Sequence, residues 1–244
     1  MIDYKNIALF FRGGLKMQLL RFQMAVFFKN PAERPDLLSG NMPKELLELF
    51  DLIPVVNPIP QIPQGFANIN IPDIPVVTLQ SSQQGYQGTI SKGRADFYYN
   101  YVGQKEYGEI LKEAAQYAKR FMEFLYSKQQ VNRVGCVVNA FFPEENPVKT
   151  IAKKYANRDL QNSEELAVRF NRRTQTGGIL LNNIVNARSE TLTFDKQSPS
   201  KGIILECDIN NVVQPMQLTD EQCVAIFKYA LNQYTAEEVK KLIS

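Results

Sequence analysis

Apolar and polar residues alternate along much of the first half of the chain. From Lys16 to Phe28 every second residue is apolar, on the face formed by Leu20, Phe22, Met24, Val26 and Phe28. This period of two predicts a half-buried β-strand. Three shorter strands are predicted next, separated by hairpin-sized turns, at Val76–Ser82, Tyr86–Lys92 and Ala95–Val102. A long amphipathic helix is then predicted over about Lys105–Gln129, where apolar residues recur every three or four positions.

The second half shows a similar order of patterns. A strand is predicted at Val131–Phe142, followed by a short helix that starts at Pro147. Further strands are predicted at Leu166–Arg172, Ile179–Asn186, Glu190–Phe194 and Gly202–Asn210, with one bent strand over Ile179–Phe194 as the alternative. The last long helix opens with a capping box, in which Thr219 precedes Gln222 by three residues.

These elements predict an α+β protein with antiparallel sheets and two long amphipathic helices. In each half, a strand is followed by a partly helical segment, then by about three antiparallel strands in succession, and finally by a helix. We therefore expect a pseudo-duplicated topology. The halves cover about 16–129 and 131–243. Gln129–Val131 leaves no room for a linker, so residues 1–244 are expected to form one domain around a shared core.

A proline-rich arm at 54–75 interrupts the first half. Proline donates no hydrogen bond to a strand neighbour, so this segment cannot form a central strand and is expected to be extended. Its apolar residues either pack on the protein's own sheet or dock on a partner. The candidate partner-docking residues are Ile59, Ile62 and Phe66.

Composition argues against the common catalytic chemistries. The 244 residues include no histidine and three widely spaced cysteines, Cys136, Cys207 and Cys223. Imidazole bases and imidazole metal ligands are therefore excluded, and no C-x-x-C spacing indicates zinc or redox chemistry. We expect no catalytic residues, no metal and no cofactor, and we favour a protein that is not an enzyme.

The net charge of +3 gives no indication of nucleic acid or a membrane surface. The start of the chain lacks the features of a signal peptide, and no apolar run approaches the roughly 18–20 residues that cross a bilayer. The expected location is the cytoplasm, without a membrane partner.

One segment has the composition of an anion-binding patch. Arg169, Arg172 and Arg173 precede a Gly177-Gly178 turn, whose backbone N–H groups can face an anion. Lys153 and Lys154 lie shortly before it. Together the five basic residues form a candidate site for nucleic acid or a nucleotide; the alternative is a solvated strand face beside an exposed helix.

Two carboxylates, Glu206 and Asp208, share the outward face of one predicted strand. Paired carboxylates can bind a divalent metal or transfer protons. The interpretation favoured here is that they face solvent or pair with arginine. Tyr98, Tyr99 and Tyr101 are candidates for stacking on bases, with core packing and surface display as the alternative.

Three segments resemble a sporadically distributed family of uncharacterised bacterial proteins of about this length. They are the stretch from Leu79 to Tyr99, the strand with Arg133, Val134 and Gly135, and the late strand GIILECDINN. In that family the late strand has an Asp-x-Asp-like centre, where this chain has Glu206, Cys207 and Asp208. The resemblance implies an α+β fold and supplies no activity.

We therefore expect a non-enzymatic binding or accessory protein that acts through a protein partner or a second copy of itself, in a bacterial defence or regulatory locus. The alternative is binding of nucleic acid or a nucleotide through the basic patch. An enzyme that relies on carboxylates, lysine or thiolate ranks third.

Overall fold

The computed structural model describes residues 16–57, 74–82, 85–103, 105–156, 158–194, 198–213 and 215–244. The described strands form one antiparallel sheet in the order β2-β3-β4-β5-β1-β6-β9-β8-β7. The strands are β1 (Gln18–Phe28), β2 (Val55–Val56), β3 (Val77–Gln80), β4 (Tyr86–Ile90), β5 (Arg94–Asn100), β6 (Val131–Pro143), β7 (Ala167–Thr176), β8 (Ile179–Leu192) and β9 (Ser200–Asn211). The helices are α1 (Pro35–Ser39), α2 (Lys44–Leu49), α3 (Tyr107–Tyr126), α4 (Pro147–Tyr155), α5 (Asp220–Gln233) and α6 (Ala236–Lys241). This arrangement confirms the α+β class.

The main core lies between one face of the sheet and the helices. Strand β1 supplies Phe22, Met24 and Val26 to it, all fully buried. The neighbouring strands supply the residues in register with them, such as Phe97 of β5 and Cys136 of β6, which both pair with Met24. Period two therefore places these residues on the face that the helices cover.

Helices α3 and α5 close this core through their apolar sides. Phe121 of α3 and Phe227 of α5 are both at most 2% exposed and pack in the same cluster as the strand residues. The capping box predicted at Thr219 is present, because the Thr219 side chain accepts from the Gln222 N–H and the Gln222 side chain accepts from the Thr219 N–H. These two hydrogen bonds fix the residue at which α5 begins.

The other face of the sheet has a second, much smaller apolar cluster. Phe141, Phe194 and Ile204 form it, at one end of the central strands. Among the described residues, no helix contributes to this cluster. Most of the second face is therefore uncovered by the described helices, and we call it the open face.

The structure corrects several boundaries. The alternative of one strand over Ile179–Phe194 is correct apart from its end, since β8 is continuous from Ile179 to Leu192, and the division into two strands is wrong. Strand β7 extends to Thr176, so that Gly177 and Gly178 form a two-residue hairpin turn with φ of 54° and 78°. Both angles lie in the left-handed region that glycine adopts without strain, which explains the Gly-Gly pair. The short helix α1 was not predicted.

Part of the proline-rich arm is described. Val55 and Val56 pair with Val77 and Thr78 at the edge of the sheet, a position that tolerates nearby prolines. The candidate docking residues Ile59, Ile62 and Phe66 lie outside the described residues.

Among the described residues, no helix is both long enough and apolar enough to span a lipid bilayer.

Candidate ligand-binding face of the sheet

The open face consists of the side chains that alternate with the core residues. The strand pairing arranges these side chains in rows across the sheet. One row runs across β5, β1, β6, β9, β8 and β7, and its residues are, in that order, Asp96, Ala25, Gly135, Asn210, Asn182 and Arg173. The next rows contain Tyr98, Gln23 and Asp208, then Arg21, Asn139, Glu206, Asn186 and Arg169. The face is rich in arginine and in side-chain amides.

Three arginines stack on two aromatic rings of the central strands on the open face. The Arg21 guanidinium is 4.6 Å from the centre of the Tyr98 ring. Those of Arg94 and Arg133 are 4.9 and 5.0 Å from the centre of the Phe27 ring. Phe27 is directly opposite both arginines in the strand register, so β1 presents its ring between the two side chains. Stacking of this kind holds a guanidinium in place.

A buried carboxylate positions one of these arginines. Asp96 is 3% exposed and accepts from Nε of Arg94 at 2.7 Å, from the Arg94 terminal nitrogen, and from Nε2 of Gln23 at 2.8 Å. The neighbouring phenol is also affected, because burial and, to a lesser degree, the charge of Asp96 raise the pKa of Tyr98. Tyr98 is therefore a neutral hydrogen-bonding group at ordinary pH.

Side-chain amides link the other three strands of the open face. Asn210 donates to Asp208 at 2.8 Å, Asn182 donates to Asn210 at 3.1 Å, and Asn171 donates to Asn182 at 3.0 Å. The chain of hydrogen bonds crosses from β9 to β7. Such a network orders the amides and gives each a fixed donor and acceptor direction.

Some polar atoms beneath this surface lack partners. Nε of Arg21, Nε of Arg133 and Oδ1 of Asn139 are buried and have no hydrogen-bond partner within the described ranges. All three belong to β1 or β6, the two central strands. An unsatisfied buried polar group costs free energy, and two further such atoms lie elsewhere in the described ranges, Oη of Tyr86 on β4 and Oγ1 of Thr174 on β7.

The predicted basic patch is divided between the two sides of the sheet. Arg169 and Arg173 are exposed on the open face, in register with Asn186 and Asn182. Arg172 is on the opposite side, over the Phe170 ring at 5.0 Å. Successive residues of a strand point to opposite faces, so Arg172 and Arg173 cannot share a ligand surface.

The two lysines of the patch also lie on the helix side. Both belong to α4, whose Ile151 packs in the main core. Lys153 is exposed, and Lys154 donates to the carbonyl of Lys241 at 3.0 Å and to that of Ser244. The five residues therefore do not form one patch, and Arg169 and Arg173 instead share the open face with arginines from distant strands.

Sequence reasoning missed the central arginines of the open face. In the sequence, Arg21 and Arg94 are only two of the polar residues that alternate with apolar ones in predicted strands. Arg133 was noted only as one residue of the segment that resembles the bacterial family. The sequence did indicate which face they occupy. All three alternate with core residues along their strands, so they point to the side of the sheet away from the helices. Alternation does not show which strands are neighbours. It therefore could not show that Phe27 lies between Arg94 and Arg133.

The paired carboxylates and the tyrosines occupy distinct places. Glu206 and Asp208 are half-buried on the open face, and neither makes an ion pair with a described residue, so of the two expected arrangements the pairing with arginine is not found. Tyr98 is on the open face, Tyr99 is in the main core, and Tyr101 packs against Phe194.

The cysteines are buried and separate. Burial raises the pKa of Cys207 and of Cys223 to about 12, and it raises that of Cys136 further. In the part of the chain that the structure describes, no group of three or more Cys, Asp or Glu side chains is placed to hold a metal ion.

No family model and no curated protein sequence matches this chain. The resemblance to the bacterial family stays a prediction.

Proposed function

We propose that this protein binds nucleic acid on the open face of its sheet. The observation that carries the proposal is the set of three arginines stacked on two rings along the central strands of a face that no described helix covers. Sheet faces that carry aromatic and basic side chains are used for nucleic-acid recognition in several folds.

Arginine suits both parts of a nucleic acid. Its planar fork donates two parallel hydrogen bonds to a phosphate or to a guanine edge. A guanidinium that already lies on Phe27 or Tyr98 loses less conformational freedom when it binds than a free side chain does. The central arginines are thus partly ordered before any ligand arrives.

The amides and carboxylates favour contacts to bases as well as to phosphates. Asn and Gln side chains pair with adenine edges, and Asp and Glu accept from the amino group of cytosine. The chain of Asp208, Asn210 and Asn182 presents such groups in a row. Glu206 and Asp208 also repel phosphates, so the backbone of a ligand is expected to follow the arginines of β5, β1 and β6 on one side and those of β7 on the other.

The strand order supports the pseudo-duplication that we include in this proposal. Strands β1 and β6 lie side by side at the centre, and each is flanked by the last strand of its own half, β5 or β9.

A ligand that reaches from Arg94 on β5 to Arg173 on β7 crosses five strand spacings, or about 24 Å at ~4.8 Å each. About seven nucleotides of one strand span that distance at roughly 3.4 Å each.

The proposal is tested by fluorescence anisotropy with labelled single-stranded RNA, single-stranded DNA and duplex DNA, each of 4, 8 and 16 nucleotides or base pairs. We expect binding of at least one class at low salt, a clear gain between the 4-mer and the 8-mer, and an affinity that falls by orders of magnitude between about 50 and 200 mM salt. No binding of any class at the lower salt concentration would refute the proposal.

A further inference from the structure

The helix side of the molecule has an apolar groove between α3 and α5. Its volume is about 450 Å³. Leu111 and Ala115 of α3, with Val224 and Leu231 of α5, supply its apolar lining. The groove lies on the helical layer, on the opposite side of the sheet from the open face, so it has no part in the proposed nucleic-acid site.

The groove has the length of a short helix. The lining residues of α3 run from Gly108 to Lys119, at intervals of three and four residues. Eleven residues of an α-helix rise about 16 Å, so the groove accommodates about three turns of a partner helix alongside α3. Helix-in-groove recognition uses apolar anchors with this same spacing.

The charges at the groove are all positive. Lys112 and Lys119 line it on α3, Lys228 lines it on α5, and no acidic side chain lines it. Lys119 is 3.4 Å from Glu123 on its own helix. Within the described ranges Lys112 and Lys228 have no ion-pair partner.

We propose that this groove binds an amphipathic helix of a second protein, with apolar anchors along one side and acidic residues on both flanks. Lysines on both walls favour acids on both flanks of the occupant, whereas a fatty acid has a single carboxylate at one end. A second copy of this chain is disfavoured, because a two-fold contact through the groove brings the same three lysines against one another.

The test uses a displayed library of 14-residue helical peptides. Their anchors at positions i, i+4, i+7 and i+11 are Leu, Ile, Phe or Met, and their flanking positions are Glu, Gln or Lys. The wild-type chain is expected to enrich Glu over Lys at the flanks by about tenfold, which corresponds to several solvent-exposed ion pairs. The double variant Lys112→Glu/Lys228→Glu is expected to reverse the preference.

A matched control removes the same charge elsewhere. Lys92→Glu/Lys128→Glu changes two exposed lysines that do not line the groove, and it is expected to keep the preference for Glu. Enrichment of no peptide, or a preference that the groove variant leaves unchanged, would overturn the proposal. It would also be overturned if sedimentation showed a dimer that the groove variant dissociates, or if oleate bound the groove and no peptide did.

Discussion

The phenol of Tyr107, at the start of α3, donates a 2.7 Å hydrogen bond to the backbone carbonyl of Tyr234, which ends α5. The Tyr234 phenol in turn accepts from the N–H of Ile209 at 3.1 Å and donates to the carbonyl of Cys136. Ile209 and Cys136 face each other across β9 and β6. Two tyrosines thus tie α3 and α5 to the centre of the sheet, directly behind the open face.

Tyr234→Phe is expected to lower the free energy of unfolding by about 1–3 kcal/mol, because it leaves a buried N–H and a buried carbonyl without the phenol. Urea denaturation followed by circular dichroism measures the change. Tyr229→Phe, a half-buried tyrosine on the same helix, is the control and should change stability by less than about 0.5 kcal/mol. Equal effects of the two variants would contradict the bridging role.

Asp96→Asn is expected to destabilise the protein by about 1–3 kcal/mol, because the buried carboxylate accepts from both Arg94 and Gln23. It should also weaken nucleic-acid binding, since Arg94 loses the group that positions it. Asp208→Asn, on the same face, makes a suitable stability control because Asp208 has no ion pair with a described residue. Thermal unfolding of both variants tests the difference, and a stable Asp96→Asn would contradict it.

The three thiols should be unreactive in the folded protein. Their raised pKa values keep them protonated at pH 8, and all three are at most 3% exposed. A thiol reagent such as DTNB should therefore react slowly with the native chain and fully in urea. Fast reaction of even one thiol in the native chain would contradict the buried placement.

The same shifts predict a pH dependence of stability. Unfolded thiols ionise near pH 9, whereas folded Cys207 and Cys223 stay protonated up to about pH 12. The unfolded state therefore binds fewer protons between these values, and stability should fall as the pH rises from 9 to 12. Burial raises the pKa of Tyr107 and Tyr234 as well, which acts in the same direction. Urea midpoints measured at pH 8, 9, 10 and 11 test the trend, and a constant midpoint would contradict it.

The elements of this fold were largely predictable, and the site was not. Alternation and helical spacing identified β1, β6 and α3 because each is long and has one clearly apolar side. The predicted strands Ile179–Asn186 and Glu190–Phe194 left Ala187–Ser189 between them, whereas β8 is continuous there because Ala187 and Arg188 pair with both β7 and β9. The open face depends on which strands are neighbours, and that is set by the packing of distant segments.

The basic patch shows the same limit. Arg169, Arg172 and Arg173 are close in sequence, and proximity suggested one site. The strand pleat separates Arg172 from Arg173, while long-range pairing places Arg94 and Arg133 on either side of Phe27, on the same face as Arg21. Local patterns predicted the faces, and only the register assembled the arginines.

Neutralising the carboxylates of the open face should strengthen nucleic-acid binding. Glu206→Gln/Asp208→Asn removes two negative charges beside the proposed path of the phosphates, and we expect a several-fold gain in affinity at low salt with little change in stability. The exposed pair Glu164→Gln/Glu165→Gln, which follows α4, is the charge-matched control. Equal gains from the two double variants would indicate a general charge effect and contradict a site at β9.

The most direct measurement compares two double variants that remove the same charge from opposite sides of the sheet. Arg133→Gln/Arg173→Gln changes the open face, and Lys153→Gln/Arg172→Gln changes the helix side. With the nucleic acid that binds the wild-type chain best, the open-face variant should lose about 10- to 100-fold in affinity, and its salt slope should fall by about 1.4 for a single strand. The helix-side variant should stay within about twofold of the wild type. Equal losses in the two variants, or a loss confined to the helix-side variant, would contradict the assignment of the open face as the nucleic-acid site.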